Sequence, residues 1–162
     1  MTTVPRQGIL QAWERVCALD DAQTTALTKR FLNEQPALSA YLIGFTDELG
    51  TEATRSIITD LSVTIWDAMT AAQGGPLQMV RPNHIDDAEE ANTRLLQKLE
   101  LSSESEWDET VKQLVSGYNQ RELLSFCIEI LAADDKETAE LAPDRIGLEL
   151  LWLKTIIDCL DQ

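Results

Sequence analysis

The stretch "LLSFCIEIL", Leu123–Leu131, decides the fold. It is apolar on almost every side, so it belongs inside the molecule. Periodicity alone does not separate a central helix from a buried strand in a run this short. The residues on either side of it do. Pro143 suits the first turn of a helix whose apolar residues, Ile146, Leu150, Leu153, Ile157 and Leu160, recur at helical spacing. Leu148, Leu151 and Trp152 widen that face and predict a central position for this helix too. Upstream, Ser103 and Glu106 form a capping-box pattern before a helix with Trp107, Val111, Leu114 and Tyr118 inward. With helix signals before and after it, Leu123–Leu131 reads as a helix.

The same rhythm continues toward the N-terminus. Ile9, Leu10, Trp13, Val16 and Cys17 share one helical face. "LDDA" ends that helix and offers an Asp cap for the next, over about 22–34, with Leu27 and Phe31 inward. Pro36 cannot continue the second helix and opens a third, with Leu38, Tyr41, Leu42, Phe45 and Leu49 buried. Gly50 and Thr51 read as stop and cap. A fourth helix over about 52–73 turns Ile57, Ile58, Leu61, Ile65, Trp66 and Met69 inward. The loop 74–83, "GGPLQMVRPN", holds two Gly and two Pro and interrupts the pattern. Asn83 and Asp86 resemble a cap for a fifth helix running to about Leu101, with Ile85, Ala88, Leu95, Leu96 and Leu99 on one side. No alternating strand pattern and no Asn-Gly hairpin signal occurs. The expectation is an all-α, single-domain bundle of about eight helices spanning 1–162.

Two stretches invite comparison. "NEQPALSAYL", Asn33–Leu42, and "YNQRELLSFC", Tyr118–Cys127, align when Gln35 is laid on Gln120. Both then read Gln, two residues, Leu, two residues, aromatic. Each is followed by an acidic pair and then a helix bearing an apolar-Trp pair, Ile65-Trp66 or Leu151-Trp152. The separation changes by a single residue across the unit. This predicts a division into two related four-helix halves, 5–73 and 84–161, joined by loop 74–83. The competing reading is that amphipathic helices resemble one another because all need apolar residues at the same spacing.

Composition bounds the function. At 162 residues, 44% hydrophobic and 25% charged, the chain has the profile of an ordinary globular protein. The net charge is −15. Residues 1–81 hold 6 basic and 9 acidic side chains, whereas residues 82–162 hold 7 and 19. Such a field repels phosphate backbones and anionic lipid, so neither nucleic acid nor membrane is an expected partner. It suits a basic protein surface, and it also serves solubility. Cys17, Cys127 and Cys159 are odd in number and widely spaced, which argues against a disulfide framework or zinc site. They read as buried thiols of a reduced, cytoplasmic protein. No secretory signal is evident at the N-terminus.

The candidate chemistry lies in "HIDDAEE", His84–Glu90. On a helix, Asp86, Glu89 and Glu90 fall near one face, where carboxylates can hold Mg²⁺ or Mn²⁺. All-α nucleotide pyrophosphatases use helix-borne acids in this way, usually as Glu-x-x-Glu and Glu-x-x-Asp on neighbouring helices. Glu106-x-x-Glu109 supplies a loose second half. Against this, acids in a first helical turn are favoured by the helix dipole without any metal. His84 is the single histidine and reads as an exposed first-turn residue. Phosphate-binding loops, dinucleotide turns and nucleophile elbows are missing. Trp66 and Trp152 read as core residues, with a partner groove as the functional alternative. The leading expectation is a non-enzymatic protein-binding module of adaptor, inhibitor or immunity type, without cofactor. The alternative is a Mg²⁺-dependent all-α nucleotide pyrophosphohydrolase built on Asp86, Glu89 and Glu90.

Overall fold

Proline, glycine and capping side chains set where the helices begin and end. In the computed structural model, which describes residues 1–46, 52–100, 112–113, 115–134 and 143–162, the helices are α1 (Arg6–Cys17), α2 (Asp21–Glu34), α3 (Pro36–Thr46), α4 (Glu52–Gln73), α5 (Pro82–Glu100), α6 (Arg121–Asp134) and α7 (Pro143–Leu160). Residues 112–113 and 115–117 are helical as well. Among the described residues there is no strand, and the helices form one compact domain. None is long and apolar enough to cross a membrane. The expected stop and cap at Gly50 and Thr51, the Ser103–Glu106 box, and Leu49, Trp107, Val111 and Leu114 lie outside the described residues. So do the side chains of Leu99 and Ile146.

Asp20 caps α2 as a full box: its carboxylate accepts from Gln23 N at 2.9 Å, and Gln23 Oε1 accepts from Asp20 N at 3.1 Å. Pro36 and Pro143 each occupy the first position of a helix, where a missing N–H costs nothing. Helix α4 ends at Gly74, whose φ of +73° is the left-handed conformation that favours glycine. Gly75 N donates to Thr70 O and Gly74 N to Ala71 O, closing the helix with a Schellman pattern. Helix α5 starts two residues earlier than a cap at Asn83 predicts. Pro82, with its φ already fixed, takes the first position, and His84 N donates to Arg81 O at 3.0 Å.

The two central helices are α4 and α7. From Leu61 to Thr70, α4 is buried at every position but Asp67, and α7 is buried at most positions from Leu151 to Leu160. They pack against each other. Helix α1 lies along α4, and α5 lies along α7. Helix α3 packs on α4 and also reaches α5, while α6 packs on α7 and also reaches α1. Trp66 is fully buried on α4, its ring 5.5 Å from that of Phe31. Trp152 on α7 stacks on Phe45 of α3 at 4.6 Å and 11°. These rings are the largest apolar groups on the two central helices and contribute heavily to the burial that drives folding.

Three residues placed on buried faces by periodicity are at the surface. Leu10, Cys17 and Leu148 are exposed. Each lies beside the centre of its apolar stripe, which on α1 runs through Ile9, Ala12 and Val16. The apolar residues of these helices span a wider arc than their neighbours cover. Cys127 and Cys159 are buried as expected.

Two extended segments are held by buried glutamines. Gln35, at the junction of α2 and α3, accepts from Val80 N at 2.9 Å and donates to Gln78 O at 3.0 Å. Gln120, before α6, accepts from Val4 N at 3.0 Å and donates to Thr2 O at 3.1 Å. Both glutamines are completely buried. A primary amide presents a donor and an acceptor side by side, as a neighbouring strand would, so each side chain pairs with the N–H and C=O of an extended chain. Val4 and Val80 plug the core beside these contacts.

Candidate functional site

Of the acids singled out in the sequence, Asp86, Glu89 and Glu90 line one open depression on α5, together with Thr93, Arg94 and Gln97, with a volume of about 530 Å³. Two of these carboxylates are engaged separately. Glu89 Oε1 accepts from Tyr41 Oη at 3.2 Å, and Glu90 pairs with Arg94 one turn on. Among the described residues, no three His, Cys, Asp or Glu side chains converge as ion ligands. Glu106 and Glu109 lie outside the described residues. His84 is half-buried rather than exposed, because α7 covers its end of α5; Cys159 Sγ sits 3.6 Å from His84 O. Its Nδ1 is buried without a hydrogen-bond partner among the described residues.

Trp66 and Trp152 are core residues, as the first of their two readings has it. Trp66 is enclosed by core side chains, and the guanidinium of Arg30 lies 5.0 Å above its ring. Trp152 is covered by Phe45. Both rings sit on the central helices and are buried there.

Below the α5 acids lies a polar network that the sequence reading missed. Asn92 of α5, 4% exposed, donates to Thr155 Oγ1 at 3.1 Å and to Asp158 Oδ2 at 2.9 Å. Thr155, fully buried on α7, donates to Leu151 O at 2.9 Å. Asp158 also accepts from Tyr118 Oη and from Lys154 Nζ at 2.7 Å. The Lys154 ammonium lies 4.7 Å from the centre of the Tyr118 ring, a cation–π contact. Three donors therefore converge on one carboxylate. The pattern that hints at this is weak: Asn92, Thr155 and Asp158 look like ordinary polar positions until α5 and α7 are laid together.

The electrostatics here keep two phenols and a thiol protonated. Burial, reinforced by the Asp158 charge and hydrogen bond, holds the Tyr118 phenol far above its ordinary range. Burial and then Glu89 do the same for Tyr41. Burial, with Asp158 adding, pushes the Cys159 thiol up to about 12. At neutral pH these groups donate hydrogen bonds and do not act as nucleophiles.

No known protein family, curated protein or solved structure matches this chain.

Proposed function

We propose that this chain is a non-enzymatic protein-binding module that receives a basic partner surface. The observation that carries the reading is an uncharged helix beside an acidic one. Helix α3 contains no charged residue, and its Ile43 is 55% exposed. Helix α5, tied to α3 through the Tyr41–Glu89 bond, turns Asp86 and Glu90 to solvent. Met79, just before α5, is 56% exposed. Apolar contacts with an acidic rim suit a partner that brings its own apolar residues inside a basic border. The acidic field raises the rate of encounter with such a surface, and salt weakens it.

Capture from cell extract at low and raised salt tests this, with wild type beside Ile43→Asp and the pair Asp86→Lys, Glu90→Lys. A protein held by wild type, lost in both variants and released by salt supports the reading. Retention unchanged in both variants contradicts it.

The second reading, a Mg²⁺-dependent all-α nucleotide pyrophosphohydrolase, is supported by Asp86, Glu89 and Glu90 sharing one depression. An ion that binds only the folded chain raises the melting midpoint. A rise in millimolar Mg²⁺ or Mn²⁺ that disappears in Asp86→Ala supports that reading. An unchanged midpoint removes it.

A further inference from the structure

The two buried glutamines perform one task twice, and each performs it across the molecule. Gln35 belongs to the first half of the chain and holds residues 78–80, which lead into the first helix of the second half. Gln120 belongs to the second half and holds residues 2–4, which lead into the first helix of the first half. Both glutamines also place their carbonyl at the start of a helix: Gln35 O accepts from Ser39 N at 2.9 Å, and Gln120 O accepts from Leu124 N at 3.1 Å. Each held segment ends in a buried valine followed by Pro and Arg, as Val4-Pro5-Arg6 or as Val80-Arg81-Pro82.

The correspondence extends into the helices that follow. Ile9, Ala12 and Val16 face inward on α1, and Ile85, Ala88 and Asn92 do so at the same spacings on α5. Trp13 of α1 meets Phe126 of α6, their rings 5.7 Å apart. At the corresponding place, Glu89 of α5 meets Tyr41 of α3 at 3.2 Å. Phe126 and Tyr41 are the aromatics that follow Gln120 and Gln35 at equal distance in the sequence. The packing repeats in the same sense: α1 on α4 answers α5 on α7, and α1 with α6 answers α5 with α3. Even the chain ends conform. Gln73 at the end of α4 joins the 78–80 segment through a short loop. The end of α7 lies beside the 2–4 segment, with Met1 N 3.7 Å from Asp161 Oδ1.

We propose that the chain is a fused two-fold pair: two copies of one four-helix unit, each lending an extended strap to a glutamine clamp in the other. Reciprocal exchange of this kind is how two identical subunits make an isologous contact. Neither unit is complete alone, because its clamp is filled by its neighbour's strap and its central helix is covered by its neighbour's. The polar cluster of Asn92, Thr155 and Asp158 is then a specialisation of one copy, since Val16, Met69 and Ala72 hold the matching positions in the other.

The test cuts the folded chain at the seam. A protease site placed between Gly75 and Pro76, just beyond the cap of α4 and where nothing lies within 4 Å of a Cβ added at Gly75, lets the intact protein fold before cleavage. The nicked protein is then examined by sedimentation and by dilution. The two fragments are expected to remain a one-to-one pair. Gln35→Glu and Gln120→Glu, each replacing an amide donor with an oxygen that faces a carbonyl, are each expected to weaken that pair, roughly 10-fold or more, with the larger loss in Gln120→Glu because Gln120 Nε2 also donates to Asp161 Oδ1 at 2.7 Å. Fragments that separate and stay folded on their own overturn the proposal. So does a loss confined to one of the two variants. If either glutamate variant does not fold, Val4→Ala and Val80→Ala take their place, with equal losses supporting the proposal and unequal losses contradicting it.

Discussion

Replacing Asp158 by Asn tests the polar network where it is most concentrated. The carboxylate takes Asn92 Nδ2 at 2.9 Å, Lys154 Nζ at 2.7 Å and the Tyr118 hydroxyl. Its side chain is 25% exposed, and that of Lys154 is 12% exposed. An amide offers one oxygen and an NH₂ group, so at least one of the three donors would lose its acceptor. The Lys154 ammonium would also lose its counter-charge in a largely desolvated position. Hydrogen bonds to charged groups contribute about 1.5–3 kcal/mol, and stripping one member from a buried pair costs about 3–5 kcal/mol. Partial solvent access brings the expectation for Asp158→Asn to about 3 kcal/mol. For a chain of this length that lowers the melting midpoint by about 6–12 °C. Tyr118→Phe removes one donor and leaves the ion pair, so it should cost only about 1.5 kcal/mol, the low end for a bond to a charged group. Urea unfolding at pH 7 measures both. If Asp158→Asn costs no more than Tyr118→Phe, the carboxylate is not the centre of the network.

Two further outcomes follow from burial and charge. In the native protein a thiol reagent should label Cys17 alone, and slowly, because partial burial and the nearby Asp60 raise its pKa. Cys127 and Cys159, both pushed up to about 12, should react only on unfolding; rapid labelling of either in the native state would contradict the packing of α6 and α7. Asp60 is held above the usual carboxylate range by burial. Its contribution to stability is therefore complete below the unfolded value of about 3.9 and is lost as pH rises through the higher folded value. Asp60→Asn should melt higher than wild type at pH 7, with the difference shrinking toward pH 3. A difference that grows on acidification would show that the charge is instead satisfied in the fold.

The helical architecture was legible because its signals are local. Asp20, Pro36, Pro143 and the limits of α4 fall where capping and proline rules place them. What periodicity gives is the direction of a face and not its width, so Leu10, Cys17 and Leu148 were assigned inward although their neighbours leave them open. The polar cluster was hidden for a related reason. Asn92, Thr155 and Asp158 carry ordinary surface side chains, and only the approach of α5 to α7 makes them internal. Gln35 and Gln120 stood out as matched letters, but their role depends on Val80 and Val4 arriving from the opposite half. No spacing rule within one helix reports such a contact. The candidate acids were found in the sequence by their helical spacing, and Tyr41 and Arg94 engage two of them.

Gln35 and Gln120 hold the two segments through which this molecule closes on itself. Residue-resolved amide hydrogen exchange under native conditions tests them most directly. Val4 N–H and Val80 N–H, each in an extended segment outside any helix, should be protected to a degree comparable with core helical amides. Gln120→Leu should release Val4 while leaving Val80 protected, and Gln35→Leu should do the reverse. Exchange of both amides at the rate of an open loop in the wild-type protein would contradict the account.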